Sequence, residues 1–449
     1  MEPADYTFDR NLLGSSPKIK KGSGYYLITK DGRKVFDAAS GAAVSCLGHG
    51  KIKVQLALVK QIFTGITYLA SSFWANDIVN DLCAELIQGT NNQMGRVYLT
   101  GSGSEAMEAA LKLSRQYFYE QNSETTRVNF ISRERSYHGN TIGALSVSGF
   151  KARTKPYEPL LMKNVSFIPP CYQYRQQGAD ESDQDFVYRK VLELEDKFQQ
   201  LPHESVIAFI AEPVVGAALG CVPSPPGYLK GIREVCDKHG ALLILDEVMS
   251  GMGRTGTLHA WQQDNVVPDI QTVAKALGGG YVPVGAVLVS NNIYDVIKKI
   301  SGVFVHGQTY QSMPLQAAAA LSVQRIIRKK NLVENVAIQG RYLGDQLHDK
   351  LSEHTNVGNI RGKGLFWGIE FVENKDTSEP FASALEVATK IVKLGISEFD
   401  IAVYPSTGCA DGARGGRDHI MIAPAYTVTK KDVDYIVSKV NLLVTTFFF

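Results

Sequence analysis

The chain has 449 residues, of which 44% are hydrophobic and 20% charged, and its formal net charge is +2. A chain of this length can bury a large core and form more than one domain, and its composition excludes a disordered or collagen-like protein. So small a net charge provides no electrostatic attraction to nucleic acid or to acidic membranes.

The first two thirds of the chain predict an α/β domain. A hairpin is predicted over residues 25–37, with a turn at Asp31 and Gly32 between two strand-like runs. Short apolar runs then alternate with segments of helical spacing, such as residues 104–118 and 231–239. This alternation is typical of a mostly parallel, mixed sheet covered by helices. The predicted strands are residues 96–100, 128–132, 206–211, 241–245, 270–274 and 285–290.

The pattern changes in the last third of the chain. A long charged helix is predicted from Ser322 into Leu351, followed by a strand over residues 365–372, another helix and a terminal helix from Lys430. We expect a smaller α+β domain here, which the early hairpin joins, so that both ends of the chain contribute to it. The predicted division is an N-terminal segment of residues 1–65, a large domain of residues 66–321 and a small domain of residues 322–449.

Two charged side chains stand at the ends of predicted strands. Asp246 follows the apolar run 241–245, and Lys275 follows the run 270–274 and lies shortly before three consecutive glycines. In open α/β sheets, ligands bind outside the carboxyl ends of the strands. Burial lowers the pKa of a lysine toward the range in which its amine is a nucleophile, and an acid beside a pyridine nitrogen keeps that nitrogen protonated. The pair predicts Schiff-base chemistry on a pyridine-type cofactor, although an acid at a strand end also suits a metal ion or a turn cap.

The run Thr100–Ala106 predicts an anion site. It follows a predicted strand and opens an alanine-rich helix, so backbone N–H groups at the helix N-terminus and the Ser104 hydroxyl can converge on a phosphate. The glycine spacing of this run also matches the dinucleotide fingerprint of nicotinamide-dependent dehydrogenases. That alternative lacks the acid expected about twenty residues later, because the next predicted strand ends in Ser132 and is followed by Arg133.

A second GxGxxG run, residues 251–256, starts several residues after its strand and has no clear helix behind it. Neither run contains the Gly-Lys-Ser/Thr of a nucleoside-triphosphate loop, so phosphoryl transfer has little support.

Tyr137 and His138 follow the predicted strand 128–132 and so lie at the same edge of the sheet. An aromatic ring at this place either fills the core or stacks on a planar cofactor.

Together these runs resemble the class III aminotransferases, the fold-type-I pyridoxal-phosphate enzymes that include ornithine, 4-aminobutyrate and ω-amino-acid:pyruvate transaminases. The similarity extends from about Gly22 to Thr429, and seven motifs in the family's order argue against chance. The motifs are Leu47–Gly50, Gly101–Ala106, Tyr137–Gly139, Glu212–Pro213, Leu245–Gly256, Val273–Gly280 and His306–Tyr310.

The resemblance implies a role for each matching residue. Lys275 would carry pyridoxal 5′-phosphate as a Schiff base and move the proton, while Asp246 would pair with the pyridinium nitrogen. Tyr137 would stack on one face of the ring and Val248 would pack on the other. The resemblance also implies a homodimer with active sites at the subunit interface. The remaining cofactor-binding residues that it implies are Gly103, Ser104, His138 and Glu212, with Thr309 reaching the phosphate from a neighbouring subunit.

Substrate residues follow from the resemblance alone. In ω-transaminases of this group, a mobile arginine four residues before an Asp-His-Ile run binds the substrate carboxylate, and Arg414 holds that position here. A planar bidentate donor suits a carboxylate. Arg417 is a rival in the same loop, and a solvated arginine is the ordinary alternative. Phe73 and Trp74 fall where related enzymes place aromatic side chains along the substrate, although packing in the core would explain them nearly as well.

The sequence departs from the family's pattern at two places. Residues 212–216 lack the glutamine that often follows the Glu-Pro pair, and the run Gln311-Ser312-Met313-Pro314 replaces a more usual Gly-His/Asn-Pro. Both runs would lie near the entrance of the site or the contact between subunits, so the identity of the substrate is not inferred from the family.

We therefore expect a ping-pong transamination in which an amine or amino acid donates and a keto acid, such as pyruvate or 2-oxoglutarate, accepts. Within the same cofactor class the alternatives are an aminomutase, a racemase, a decarboxylase or a phospho-lyase. From other classes, a nicotinamide-dependent dehydrogenase and a non-catalytic binding protein stay open.

The cysteines and the start of the chain indicate the compartment. The six cysteines are scattered, without a CxxC pair or metal-ligand spacing, so we predict neither a disulfide framework nor a metal site. No apolar run approaches the roughly 18 residues of a membrane span. The first residues carry acidic side chains and lack the apolar run of a signal peptide. We expect a cytoplasmic protein that has no membrane or nucleic-acid partner.

Overall fold

The computed structural model of the protein describes residues 16–405 and 418–449, together with positions 6, 8 and 12. The strands of this part of the chain, in order, are β1 (Ile19–Ser23), β2 (Tyr26–Thr29), β3 (Lys34–Asp37), β4 (Arg96–Thr100), β5 (Asn129–Arg133), β6 (Val165–Ile168), β7 (Val206–Ala211), β8 (Val214–Val215), β9 (Val222–Pro223), β10 (Leu242–Asp246), β11 (Ile270–Val273), β12 (Gly285–Val289), β13 (Val357–Gly362), β14 (Trp367–Phe371), β15 (Ile401–Ala402), β16 (Tyr404–Pro405) and β17 (His419–Ile422).

Helices occupy most of the intervening chain. In order, they are α1 (Ser40–Ala43), α2 (Ile52–Ile62), α3 (Asp77–Gly89), α4 (Gly103–Gln121), α5 (Ile142–Ser146), α6 (Lys151–Thr154), α7 (Gln173–Gln176), α8 (Asp183–Gln200), α9 (Tyr228–Lys238), α10 (Asn291–Ile300), α11 (Pro314–Lys329), α12 (Leu332–Leu351), α13 (Val387–Glu398) and α14 (Lys430–Phe448).

The largest sheet has the strand order β4-β12-β11-β10-β7-β5-β6. Parallel pairing joins β11, β10, β7, β5 and β6 in turn, whereas β12 is antiparallel to both of its neighbours, β11 and β4. Strands β4 and β11 therefore run in the same direction. The carboxyl ends of every strand except β12 meet at one edge of the sheet, which is where ligands bind in this class of fold.

Helices cover both faces of this sheet. Strand β10 is buried along its whole length, and its alternate residues face opposite layers. Leu242 and Ile244 pack with residues of α4, whereas Leu243 and Leu245 pack with residues of α8 and α9. A continuous apolar run is the pattern of a strand covered on both sides. The α/β fold class predicted from the sequence is confirmed.

Each of the six predicted sheet strands lies within one residue of its predicted bounds. The strand β6, at the edge of the sheet, was missed by the sequence analysis. The single long helix predicted from Ser322 into Leu351 is wrong, because the chain forms α11 and α12 with a break between them. Asn331 has a φ of +49° at this break. Asparagine tolerates this left-handed conformation better than most residues, so it ends one helix and starts the next.

The early hairpin forms as predicted, with β2 antiparallel to β3 and the Asp31-Gly32 turn between them. Strand β15 pairs in parallel with β3, through Ile401 and Phe36, so that segments from both ends of the chain share one sheet. A further sheet has the order β13-β14-β17-β16. The predicted division into residues 1–65, 66–321 and 322–449 stays a prediction, and its second boundary falls inside α11. Among the described residues, no helix has the length and apolar character that crossing a membrane requires.

Candidate active site

One cavity of about 380 Å³ lies at the edge of the large sheet where the parallel strands end. Strand β10 ends with Asp246, β11 ends shortly before Lys275, and β7 ends immediately before Glu212. All three side chains line this cavity. The segments that follow β4 and β5 complete the wall together with Gly280 and residues 282–284. The sheet topology therefore gathers residues that are far apart in the sequence.

Protein surrounds the amino group of Lys275. The residue as a whole is only partly buried. Its backbone has a φ of +43°, a left-handed conformation that is uncommon for residues other than glycine. The Nζ atom donates a hydrogen bond to the carbonyl oxygen of Ala42 over 3.1 Å. Burial lowers the pKa of Lys275 to about 8, against the opposing effects of Asp246 and Glu212. A lysine with this pKa is partly neutral near physiological pH, and the neutral amine is a nucleophile.

Asp246 is 4% exposed and is held on both carboxylate oxygens. Its Oδ1 accepts hydrogen bonds from the amide of Val248 over 3.0 Å and from the hydroxyl of Thr272 over 3.3 Å. Its Oδ2 lies 2.8 Å from Nδ1 of the buried His138. The other ring nitrogen of His138 is 3.3 Å from the hydroxyl of Ser132. A buried carboxylate with this many partners has a fixed orientation.

The N-terminus of α4 forms a turn with the properties of an anion site. The first amides of a helix have no acceptor within the helix. The Ser102 hydroxyl accepts the amide of Glu105 over 3.2 Å, which leaves the amides of Gly103 and Ser104 for an external anion. A Cβ atom at Gly103 would lie 2.9 Å from Cγ1 of Val248, so glycine keeps this part of the cavity open. We call residues 101–104 the phosphate turn.

Glu105 follows the phosphate turn directly, and sequence reasoning missed its contacts. Its Oε2 accepts the amide of Gly101 over 2.7 Å and the side-chain amide of Gln308 over 2.8 Å. A carboxylate in the first turn of a helix is favoured by the helix dipole. Glu105 therefore joins the phosphate turn to the distant segment that contains Gln308.

Tyr137 and Val248 line the cavity together. The Tyr137 ring packs edge-on against Phe150, with ring centres 6.4 Å apart, and the Arg153 guanidinium lies 4.9 Å from its centre. These neighbours fix the plane of the Tyr137 ring. An aromatic ring and a branched aliphatic side chain in one cavity suit a flat heterocycle.

Glu212 is buried at the end of β7 and uses both carboxylate oxygens. Its Oε1 accepts the amide of Tyr137 over 3.0 Å, and its Oε2 accepts the amide of Gly216 over 2.9 Å. Burial raises the pKa of Glu212, and the nearby Asp246 raises it further. The backbone hydrogen bonds lower this pKa and so favour the ionised carboxylate.

Most of the predicted cofactor-binding residues meet in this cavity, whereas the predicted substrate residues Phe73 and Trp74 do not line it. Thr309 is exposed outside it, and the side chains of Phe73 and Trp74 are 82% and 66% exposed. Packing in the core of this chain is therefore excluded for Phe73 and Trp74. Arg414 and Arg417 lie outside the described residues. The predicted residues that line the cavity are Gly103, Ser104, Tyr137, His138, Glu212, Asp246, Val248 and Lys275.

Three further residues take part in the site and were missed: Ala42, Arg153 and Thr272. Ala42 and Arg153 meet the site only through tertiary packing, and their sequence neighbourhoods carry no signal. Thr272 could have been predicted from the sequence, because it lies on the predicted strand that precedes Lys275. In the described part of the chain, no group of three or more His, Cys, Asp or Glu side chains is placed to bind a metal ion.

The dinucleotide alternative loses its structural support. The glycine run that matched its fingerprint follows β4, which lies at an edge of the sheet and pairs only with the antiparallel β12. A dinucleotide fingerprint requires instead a βαβ unit of neighbouring parallel strands.

Comparison with known proteins gives a consistent result. Residues 14–444 match the family described as aminotransferase class-III. An aminotransferase of Gibberella zeae is 48% identical over 417 residues, which cover 92% of this chain and 81% of that protein. An uncharacterized aminotransferase of Schizosaccharomyces pombe is 42% identical over 445 residues, which cover 99% of this chain and 96% of that protein.

Solved structures are similar over almost the whole length. An (S)-enantioselective omega-transaminase from Thermomicrobium roseum has a TM-score of 0.89 and 33% identity, covering 96% of this chain and 93% of that chain. The omega-transaminase from Pseudomonas jessenii, in complex with PMP, has a TM-score of 0.88 and 28% identity, with coverage of 96% and 93%.

Proposed function

Since this chain belongs to the class III aminotransferase family, we propose that it is a pyridoxal-phosphate transaminase that moves an amino group from an amine or amino acid to a keto acid, pyruvate or 2-oxoglutarate. The observation that carries the proposal is that Lys275, with its lowered pKa, and the fixed carboxylate of Asp246 line the same cavity. A reactive amine and a held negative charge at adjacent strand ends are what this chemistry needs.

The cavity fits pyridoxal 5′-phosphate in its donors and its shape. The amides of Gly103 and Ser104 suit the phosphate, and the missing side chain at Gly103 leaves room beside Val248. Tyr137 and Val248 would hold the ring between them. The bound cofactor would supply an electron sink for carbanion charge at the reacting carbon.

The roles of the chain's own groups follow from their surroundings. Lys275 Nζ, neutral above its pKa of about 8, would be the attachment point for the cofactor and the base that takes a proton from the reacting carbon and returns it. Asp246 would place a negative charge beside the ring nitrogen of the bound cofactor, and His138 keeps the Asp246 carboxylate in place. Glu212 fixes the Tyr137 backbone and so the position of the Tyr137 ring.

We further propose a homodimer in which Thr309 of one subunit serves the phosphate site of the other. Large apolar side chains are exposed in two segments that a hydrogen bond from Gln311 to Ser71 joins: Phe73 and Trp74 in one, Val305 and Tyr310 in the other. Extended exposed apolar surface on a globular chain marks an interface. The aromatic pair Phe73 and Trp74 would then line the substrate site at the subunit boundary.

Arg414 is the proposed partner of a substrate carboxylate, with Arg417 as its rival, and this assignment rests on the family's loop pattern alone. A guanidinium group binds a carboxylate with two parallel hydrogen bonds.

The first experiment tests the cofactor. The purified protein, supplied with pyridoxal phosphate, should turn yellow, and borohydride reduction should leave a stable label that mass spectrometry finds on Lys275. The matched control is Lys393→Ala, which removes an exposed lysine of α13 and should label normally. A colourless protein that takes up no cofactor would disprove the proposal.

A second experiment separates transamination from other reactions of the family. A panel of amino donors is offered with pyruvate or 2-oxoglutarate, for the wild type and for Arg414→Ala and Arg417→Ala. Formation of alanine or glutamate together with a carbonyl product supports the proposal. A product that forms without an acceptor would instead indicate another reaction: an amino product a mutase, racemase or decarboxylase, and release of phosphate and ammonia a phospho-lyase. No turnover with bound cofactor would indicate a binding protein.

A further inference from the structure

Gln311 joins three separate parts of the subunit with one side chain. Its Oε1 accepts the backbone amide of Gln308 over 2.9 Å and the hydroxyl of Tyr98, on β4, over 2.5 Å. Its Nε2 donates to the hydroxyl of Ser71 over 2.8 Å. We call residues 306–313, which contain Thr309, the Thr309 turn. Gln311 therefore ties this turn to the sheet and to the segment that carries Phe73 and Trp74.

Two donors fix the orientation of the Gln311 amide. Burial raises the pKa of Tyr98 to about 12, so its hydroxyl stays protonated at any physiological pH and acts as a donor here. The backbone amide of Gln308 can only donate. Both donors require the oxygen of Gln311, which leaves its NH₂ group for Ser71.

The backbone of the Thr309 turn needs such support. Ser312, next to Gln311, has a φ of +55°, a conformation that favours glycine. Conformations of this kind persist only where surrounding contacts determine them. The hydrogen bonds of Gln311 are contacts of that kind. Both residues belong to the run Gln311-Ser312-Met313-Pro314, which departs from the family's more usual Gly-His/Asn-Pro.

The second glutamine of the turn faces the phosphate turn of the same subunit. Gln308 Nε2 donates to Glu105 Oε2, and the same oxygen accepts the amide of Gly101. The side chain of Thr309, between the two glutamines, is exposed. The turn is thus fixed on both sides while its threonine is presented outward.

We propose that Gln311, together with Gln308, is a positioning residue that sets the Thr309 hydroxyl for the phosphate of a cofactor bound in the neighbouring subunit. The inference rests on the proposed function, in which Thr309 serves that phosphate. A hydroxyl at the end of a short side chain has little reach, so displacement of the turn by about 1 Å would remove its hydrogen bond.

The test compares two ligands that differ only in the phosphate. Cofactor-free dimer is titrated with pyridoxal phosphate and with pyridoxal, and uptake is followed by visible absorbance. Gln311→Met keeps the volume of the side chain and removes its hydrogen bonds. We expect it to weaken binding of pyridoxal phosphate about tenfold and to leave binding of pyridoxal unchanged, because only the phosphate loses a partner. The exposed Gln93 provides the matched control, Gln93→Met, which should change neither.

A double-mutant cycle tests whether Gln311 acts through Thr309. Thr309→Val should weaken pyridoxal phosphate binding, and Gln311→Met added to it should cause less than about twofold further loss. Full additivity of the two losses, or an equal loss for pyridoxal and pyridoxal phosphate, would overturn the inference and indicate a merely structural role.

A milder variant, Tyr98→Phe, keeps the inference testable if Gln311→Met fails to fold. Tyr98→Phe removes one donor to Gln311 and should give the same preference against the phosphate form with a loss of about threefold. Unchanged affinity in both Gln311→Met and Tyr98→Phe would also overturn the inference. A wild-type protein that binds neither ligand would instead overturn the proposed function, so the two failures are distinguishable.

Discussion

The cavity around Lys275 and the surface around Thr309 differ in where their side chains find partners. In the cavity, Asp246 has hydrogen-bond partners on both oxygens, all supplied by this chain. On the surface, Phe73, Trp74 and Thr309 face outward, although Gln311 and Gln308 hold the backbone beneath Thr309 firmly.

The difference separates two kinds of function. A group whose surroundings are complete within one chain has a fixed charge and direction before any ligand arrives, which is what bond-making chemistry requires. A group that stands exposed on a fixed backbone is completed by another molecule. Under the proposed function, that molecule is a second subunit or a substrate, so changes on the surface should affect affinity more than chemistry.

The largest effect is expected from Lys275→Ala. Loss of the amine removes both the cofactor's attachment point and the proton-transfer base, and a positioned base alone contributes up to about 10⁴-fold. We expect turnover of the best donor to fall by at least about 10⁴-fold, measured as formation of the keto product. Substantial activity in a folded Lys275→Ala protein would contradict the role of Lys275 as attachment point and base. The cavity would then not differ from the surface around Thr309 in the way described above.

A smaller loss is expected from Asp246→Asn. The asparagine oxygen can still accept the Val248 amide, but the negative charge is gone and the contact with His138 is weakened. Removing one oriented electrostatic partner typically costs about 10² to 10³ in turnover. Steady-state kinetics at saturating pyridoxal phosphate should show this in kcat. Leu243→Val, three residues before Asp246 on the same strand and in the core, is the control for general destabilisation and should stay within a fewfold of the wild type. A kcat for Asp246→Asn equal to that of the wild type would show that the buried charge plays no part in the chemistry.

The pH dependence of cofactor uptake tests the environment of Lys275. Its pKa of about 8 lies below the ordinary value of 10.5, so the neutral amine, which reacts, becomes more abundant as the pH rises through 8. The rate at which cofactor-free protein takes up pyridoxal phosphate should rise about tenfold from pH 7 to pH 9 and then level off. An ordinary lysine would give a rise of about a hundredfold over the same interval with no plateau. A hundredfold rise without a plateau would indicate that the Lys275 amine is exposed to water, which would contradict its burial.

Much of the cavity could be predicted from the sequence because its residues stand at strand ends. Apolar runs such as β7 and β10 are recognisable when both faces of a strand are buried, and the next residue then lies at the ligand-binding edge. Asp246 and Lys275 follow from this argument alone. The resemblance to a known family added Tyr137, Glu212 and Val248, which single motifs would have left open.

Other features depend on packing that no local pattern records. Ala42 reaches Lys275 across more than two hundred residues of sequence, and Arg153 reaches the Tyr137 ring from a short helix with no distinguishing motif. The break at Asn331 was missed because both flanking segments have helical spacing. The role of Gln311 appeared in the sequence only as a departure from a family pattern, since its partners Tyr98 and Ser71 are distant in the chain.

The smallest effect is expected at the surface, from Trp74→Ala. If Trp74 lines the substrate site at the subunit boundary, its removal should raise KM for a bulky aromatic amine about five- to tenfold through lost apolar contact. The kcat for a small donor and the affinity for pyridoxal phosphate should stay unchanged, because no described contact links Trp74 to the cavity. Tyr188, on α8, is equally exposed at 66%, so Tyr188→Ala is the matched control and should change none of these values. Two outcomes would contradict this prediction: Trp74→Ala lowers cofactor affinity as much as substrate affinity, or it behaves like the Tyr188 variant. In either case Trp74 would not contact the substrate, and the contrast with the cavity would need another explanation.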